Sequence, residues 1–191
     1  MTTSVIGIAV AFLIIRFEFP GRNMFSYLTM LPIILPPLVG VLGFVYILGR
    51  AGTVNILLMD WFGLEQPINF MYGIQGVLLV ETGHLFPLMT LSILDSLSKV
   101  DPSLEEAAQV TGAKAWRRFW TVTLPLTTPG YISGALLVFI WTFADFITPL
   151  VLGVQDLLAP QAYLNIMQFV DRRLFRMGIV ISALLVLLAI V

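Results

Sequence analysis

From Gly130 to Leu152 the chain carries a single charged side chain, Asp145. A run this long and this apolar leaves no face for water, and about 20 such residues cross the hydrocarbon core of a bilayer as a helix. Four more apolar stretches accompany it, at about 4–19, 27–48, 70–97 and 174–191. In lipid a lone segment satisfies its own backbone hydrogen bonds only as a helix, and the alternation of a membrane barrel strand is absent. The expected fold class is therefore all-α: a polytopic membrane protein with about five transmembrane helices, 130–152 being the fourth.

Composition agrees. Of 191 residues, 59% are hydrophobic and 11% charged, with a mean hydropathy of +0.98; a soluble domain carries roughly twice that charged fraction. The net charge of -1 gives no reason to expect nucleic acid as a partner. The absence of cysteine excludes disulfides and thiolate metal sites, and His84, the lone histidine, makes no histidine cluster, so no metal is expected. Residues 1–15 have no basic leader followed by a small-residue cleavage site, so they do not read as a cleavable signal. The first stretch is short for a span and the last runs to Val191, which points to a fragment truncated at both ends.

Lysine and arginine placement sets the orientation. Arg16 and Arg22 lie in the loop at 16–26, and Lys99, Lys114, Arg117 and Arg118 in the loop at 98–129; with five spans both face the cytoplasm. The loop at 49–69 has Arg50 balanced by Asp60 and Glu65, as an outside loop should. Arg172, Arg173 and Arg176 are the exception, since the same count places them outside. Pro32, Pro36 and Pro37 are expected to interrupt the second span and Pro87 the third, because proline removes a backbone donor and bends a helix. Broken helices suit a transporter better than a plain anchor, although membrane helices carry extra proline in any case.

The one long polar stretch is Ser103 to Pro125. Asp101 before Pro102 makes a helix start, and Ser103-x-x-Glu106 offers an overlapping capping box. Gly112 is the natural stop, and a second helical stretch from Ala113 to about Thr121 leads to Leu124-Pro125. Helix, sharp turn, helix at the membrane surface is a shape for docking another protein. Ionisable residues within spans are functional suspects by default. Glu81 and His84 share a face of the third helix with Asp95, and Asp145 lies in the fourth. They either line a translocation path, or Glu81 pairs with His84 while Asp145 bonds backbone near the outer end. Asp95 is close enough to the cytoplasmic end to be merely solvated.

Glu106-Ala107-Ala108, three residues, Gly112, nine residues, then Val122-Thr123-Leu124-Pro125 resembles the EAA loop of bacterial ABC importer permeases, E-A-A-x3-G-x9-I-x-L-P, with Val122 for isoleucine. Thr111 stands where leucine is commoner before the glycine; Gly112-Ala113, Arg118-Phe119 and Pro129-Gly130 into Ser133–Leu137 also agree with that family. The resemblance implies one transmembrane type-1 permease domain over 1–191, with 98–129 as a cytoplasmic coupling loop whose Glu106, Ala107, Ala108, Gly112, Leu124 and Pro125 engage a separate ATPase subunit. It implies no enzyme activity in this chain: no G-x-x-x-x-G-K-[ST] is present, so ATP belongs to the partner and no cofactor is bound here. The implied partners are cytoplasmic ABC ATPase subunits, a second permease half (homodimeric, heterodimeric or fused), an extracytoplasmic solute-binding protein and membrane lipid. The implied location is the bacterial inner membrane, crossed several times. Ala144–Gly153 and Tyr46–Gly52 look like the ferric iron branch, with polyamine and phosphonate permeases as relatives of the first segment. Another class also remains open: an ion-coupled secondary transporter using Glu81, His84 or Asp145. An intramembrane enzyme lacks an evident catalytic pair.

Overall fold

A computed structural model describes residues 1–101, 103, 110, 114, 117 and 119–190. Its described residues form helices and loops, with no strand among them. In chain order the helices are α1 (Thr2–Arg16), α2 (Arg22–Ile34), α3 (Pro37–Leu48), α4 (Thr53–Phe62), α5 (Ile74–Ser98), α6 (Phe119–Leu126), α7 (Thr128–Ala144), α8 (Ile147–Val151), α9 (Leu158–Met167) and α10 (Arg172–Ile190). They group into two compact units, Met1–Ile33 with Leu85–Phe139 and Ile34–His84 with Ile140–Val191.

By length and composition, Pro37–Phe62, Ile74–Ser98 and Arg172–Ile190 can each cross a membrane; Phe119–Leu126 and Thr128–Ala144, bent by 53°, make a fourth span if taken together. The all-α polytopic class holds, while the individual segments differ from the apolar runs. The 15 residues of α1 reach about 22 Å at 1.5 Å per residue, short of a core about 30 Å thick. The expected span 27–48 is two helices, α2 and α3, parted at Leu35-Pro36. Neither Pro36 nor Pro37 can donate to a helical ladder, and each restrains the residue before it, so the chain breaks there and Pro37 opens α3. Pro32 sits inside α2. Pro87 does not interrupt the third span: α5 runs from Ile74 to Ser98 through it. One proline removes one bond from a 25-residue ladder, a loss that packing around a membrane helix tolerates, and Pro87 is fully buried.

The first unit is held by close approach. Ala11, Met89 and Ile93 form its core, flanked by Ile8, Leu94, Leu97, Ala135 and Val138. A Cβ on Gly130 would lie 2.4 Å from Ser96 Cβ and 2.5 Å from the Ser92 carbonyl oxygen, and one on Gly134 would lie 3.0 Å from Ser92 Cβ. Gly130-x-x-x-Gly134 on α7 thus faces Ser92-x-x-x-Ser96 on α5, a small-residue seam that lets two membrane helices touch backbone to backbone. Thr90 Oγ1 donates to the carbonyls of Phe86 (3.0 Å) and Gly7 (3.3 Å), tying α1 to α5.

The second unit buries polar groups. Its apolar core is Val41, Met71, Val77, Val80 and Leu152. Beside it Asn55, fully buried, donates through Nδ2 to the carbonyls of Gly49 (2.8 Å) and Ile68 (2.9 Å) and accepts at Oδ1 from the Ile68 N–H (2.8 Å). One side chain therefore pins the end of α3 and the loop after α4. Gly73, at φ +93°, turns that loop into α5 and donates to the Leu152 carbonyl at 3.1 Å.

Candidate functional site

Two places in the chain were singled out by sequence, the charged loop and the intramembrane carboxylates. Glu106, Ala107, Ala108 and Gly112 lie outside the described residues, and with Glu106 the second half of the Ser103-x-x-Glu106 box. At the loop's entry Asp101 Oδ1 accepts the Ser103 backbone N–H at 2.9 Å, the bond an N-cap makes to the second residue of a helix. Ser103's amide and hydroxyl hold the Asp101 carboxyl below the usual carboxylate range, because both bonds favour the ionised form.

At the exit, Leu124 and Pro125 are placed in α6, where a wide turn over Phe119–Thr123 passes into Leu124–Leu126. Pro125 and Pro129 bring no N–H to this stretch, and the chain bends by 53° between α6 and α7. The Leu124 carbonyl at the bend accepts Thr127 Oγ1 at 2.8 Å and Thr128 Oγ1 at 3.5 Å. Two contacts from α1 reach this segment: Arg16 Nη2 donates to Thr123 Oγ1 at 3.2 Å, and the Phe12 and Phe119 rings meet edge to face at 4.8 Å. Sequence reading missed both, since nothing in the order of residues pairs 16 with 123.

The carboxylates belong to the second unit. Glu81 and His84 sit three residues apart on α5, so they share a face. Gly40 on α3 faces the imidazole: a Cβ there would make ordinary contact, 3.4 Å from His84 Nδ1. Glu81 is buried and accepts Thr142 Oγ1 at 3.3 Å through Oε2. Asp145 is within hydrogen-bonding reach of Glu81 and within electrostatic reach of His84. Its Oδ1 also accepts the N–H groups of Ile147 (2.8 Å) and Thr148 (3.4 Å), which caps α8 and ends α7.

The three intramembrane candidates thus come together, with Thr142 as a fourth member. The spacing Thr142-x-x-Asp145, one helical turn, was the signal that could have found Thr142. The partners of Glu81 are Thr142 and Asp145 rather than His84, whereas the expected backbone bonds of Asp145 are present. Asp95 stands apart: Lys99 Nζ lies 2.6 Å from its Oδ2 on an exposed helix end. Among the described residues no set of three or more histidine, cysteine or acidic side chains could hold a metal ion. What the cluster offers is a buried carboxyl with a hydroxyl donor, an imidazole and a helix break between α7 and α8, features that transporters use to build solute or ion sites.

Comparison with known proteins bears on the chain as a whole. The profile of the family described as "Binding-protein-dependent transport system inner membrane component" matches residues 3–191. The molybdenum transport system permease protein ModB of Escherichia coli K12 is 40% identical over 142 residues, covering 73% of this chain and 59% of ModB. The ferric transport system permease protein FbpB of Actinobacillus pleuropneumoniae is 32% identical over 167 residues, covering 87% of this chain and 24% of FbpB. The chain thus spans 59% of the length of the ModB it matches. Among solved structures, a bacterial alginate ABC transporter, crystallised in complex with a periplasmic protein carrying an alginate pentasaccharide, superposes with a TM-score of 0.74 over 97% of this chain and 70% of its own. At 19% identity that likeness speaks for the fold.

Proposed function

Because the chain belongs to the family of binding-protein-dependent transport system inner membrane components, we propose that it forms part of the solute pathway of an ATP-driven ABC importer. It is a transport component, crossing the inner membrane several times. The observation that carries the proposal is the pattern Glu106-Ala107-Ala108-x3-Gly112-x9-Val122-x-Leu124-Pro125 between α5 and α7, inside the family match. In this reading the loop docks into a groove of a cytoplasmic ATPase subunit, which supplies ATP binding and hydrolysis. Glu106 makes charge-assisted hydrogen bonds to that subunit, Ala107 and Ala108 allow close approach, and Gly112 sets the angle between the loop's two helices. Leu124 and Pro125 lead docking motion into the 53° bend. A second permease half and an extracytoplasmic binding protein complete the transporter. Glu81, His84 and Asp145 line its pathway.

Co-purification of the full protein with its candidate ATPase tests this. Wild type retains the ATPase; Glu106→Lys and an insertion at Gly112 lose it. An association indifferent to both changes would sink the proposal. If uptake persists without any ATPase and collapses with an uncoupler, the buried carboxylates and an ion-driven mechanism take its place.

Three cargoes have support. The segments Ala144–Gly153 and Tyr46–Gly52, with ferric permease relatives at 32% and 33% identity, favour ferric iron. Molybdenum permeases at 40% and 38% identity favour molybdenum instead, and 2-aminoethylphosphonate permeases at 31% and 30% support a phosphonate less strongly. Competition between labelled ferric iron and molybdate for uptake by the assembled transporter decides between the first two.

A further inference from the structure

The arginines that break the charge rule lie together at the start of α10. Arg172, Arg173 and Arg176 are exposed and, with Met177, Val180 and Ile181, line an open groove of about 530 Å³ along one side of the helix. Among the described residues no carboxylate forms an ion pair with any of the three. Asp171, the nearest acid in sequence, spends Oδ1 on capping: it accepts the N–H groups of Arg173 at 2.9 Å and Leu174 at 3.4 Å. The helix dipole adds positive potential at this end, and one capping carboxylate against three arginines leaves a net positive surface that favours a further anion.

The apolar half of the groove says which anion. Met177, Val180 and Ile181 continue from the arginines down an apolar helix in which Gly178 alone among the described residues is buried in the protein. A soluble anion would use the guanidinium groups and leave this surface bare. A phospholipid uses both: phosphate on the arginines, bidentate where geometry allows, and an acyl chain along Met177, Val180 and Ile181.

We propose that this groove is a binding site for an anionic phospholipid. The site also accounts for the orientation anomaly, because arginines committed to a lipid phosphate have a use on whichever face they stand.

The test uses the full chain purified in detergent and offered equal amounts of phosphatidylglycerol and phosphatidylcholine, with bound lipid counted by native mass spectrometry. Wild type retains phosphatidylglycerol preferentially. Changing Arg172, Arg173 and Arg176 to Gln lowers that preference by about fivefold per arginine, the worth of one basic residue near an anionic membrane surface, whereas changing all three to Lys keeps most of it. Val180→Trp fills the apolar half and reduces retention with every arginine in place. Helicity by circular dichroism confirms that each variant is folded. The proposal is overturned if the glutamine variant keeps the preference, if Val180→Trp retains lipid as wild type does, or if excess inorganic phosphate displaces the lipid. It is also overturned if wild type shows no headgroup preference, in which case an acidic protein surface is the better occupant.

Discussion

The two units solve the same problem by different means. In the first, helices approach because side chains are missing: Gly130 and Gly134 face Ser92 and Ser96, and the hydroxyl of Thr90 only adds bonds to carbonyls of α5 and α1. In the second, Asn55 and Glu81 are buried and their bonds hold the structure. A seam of small residues fails when volume is added. A buried polar knot fails when a partner is removed, because the orphaned groups have lost water and gained nothing. Each unit therefore predicts its own kind of fragile residue.

The largest effect belongs to the polar knot. Asn55→Leu orphans the Ile68 N–H and takes one of two donors from each of the Gly49 and Ile68 carbonyls, which keep only the Gly52 and Phe70 N–H groups, at a cost of about 3 kcal/mol. Thermal unfolding in detergent measures it. A loss as small as that of an exposed asparagine would mean that polar burial is not what holds the second unit. Next come the glycines. Gly130→Val meets Ser96 Cβ and the Ser92 backbone oxygen, which cannot rotate away, and should cost about 2 kcal/mol through overpacking. Gly134→Ala meets Met89 Sδ at 2.9 Å and Ser92 Cβ at 3.0 Å, both side chains, so it costs less and Ser92→Gly should relieve part of it. Adding Ser96→Gly to Gly130→Val relieves little, because the backbone oxygen remains. A double-mutant cycle at each pair reads the contrast.

The broad class was legible because apolar runs of bilayer length admit few alternatives. Local breaks were legible only where proline acts with a neighbour: Pro36-Pro37 parts α2 from α3, while the lone Pro87 is absorbed by α5. Sequence groups Glu81, His84 and Asp145 as suspects and leaves a Glu81–His84 pair as one of two alternatives; the partners of Glu81 are Thr142 and Asp145 instead. Glu81 and His84 are close in number, whereas Thr142 is 61 positions away from Glu81 and joins it only through packing. The Asn55 knot was invisible for the same reason: an asparagine in an amphipathic decapeptide reads as surface until its loop folds back. Gly130 and Gly134 were noticed as family flanks, yet what they face on α5 cannot be read from one strand of sequence.

A smaller comparison uses two hydroxyls of the same kind. Thr142→Val deprives the buried Glu81 of a donor, whereas Thr90→Val removes bonds to carbonyls, one of which already belongs to a helix. We expect about 1 kcal/mol for the first and about half that for the second, within the range of hydroxyl bonds inside membrane proteins. Equal losses would erase the distinction between the units at the level of single bonds.

The smallest effect is expected from acid at Asp101, a fully exposed cap in the first unit. Its carboxyl is depressed in the folded chain, so its contribution is present above the unfolded-state pKa and is lost as pH falls through the folded one. Hydrogen exchange at the Ser103 amide should quicken relative to its intrinsic rate over that acidic window, below the ordinary carboxylate range, and Asp101→Asn should flatten the response. Global unfolding should hardly move, because an exposed bond competes with water on equal terms. Were the whole protein to lose its melting temperature over the same window and keep it in Asp101→Asn, an exposed cap would be as costly to lose as a buried knot. Burial would then no longer be the property that separates the two units.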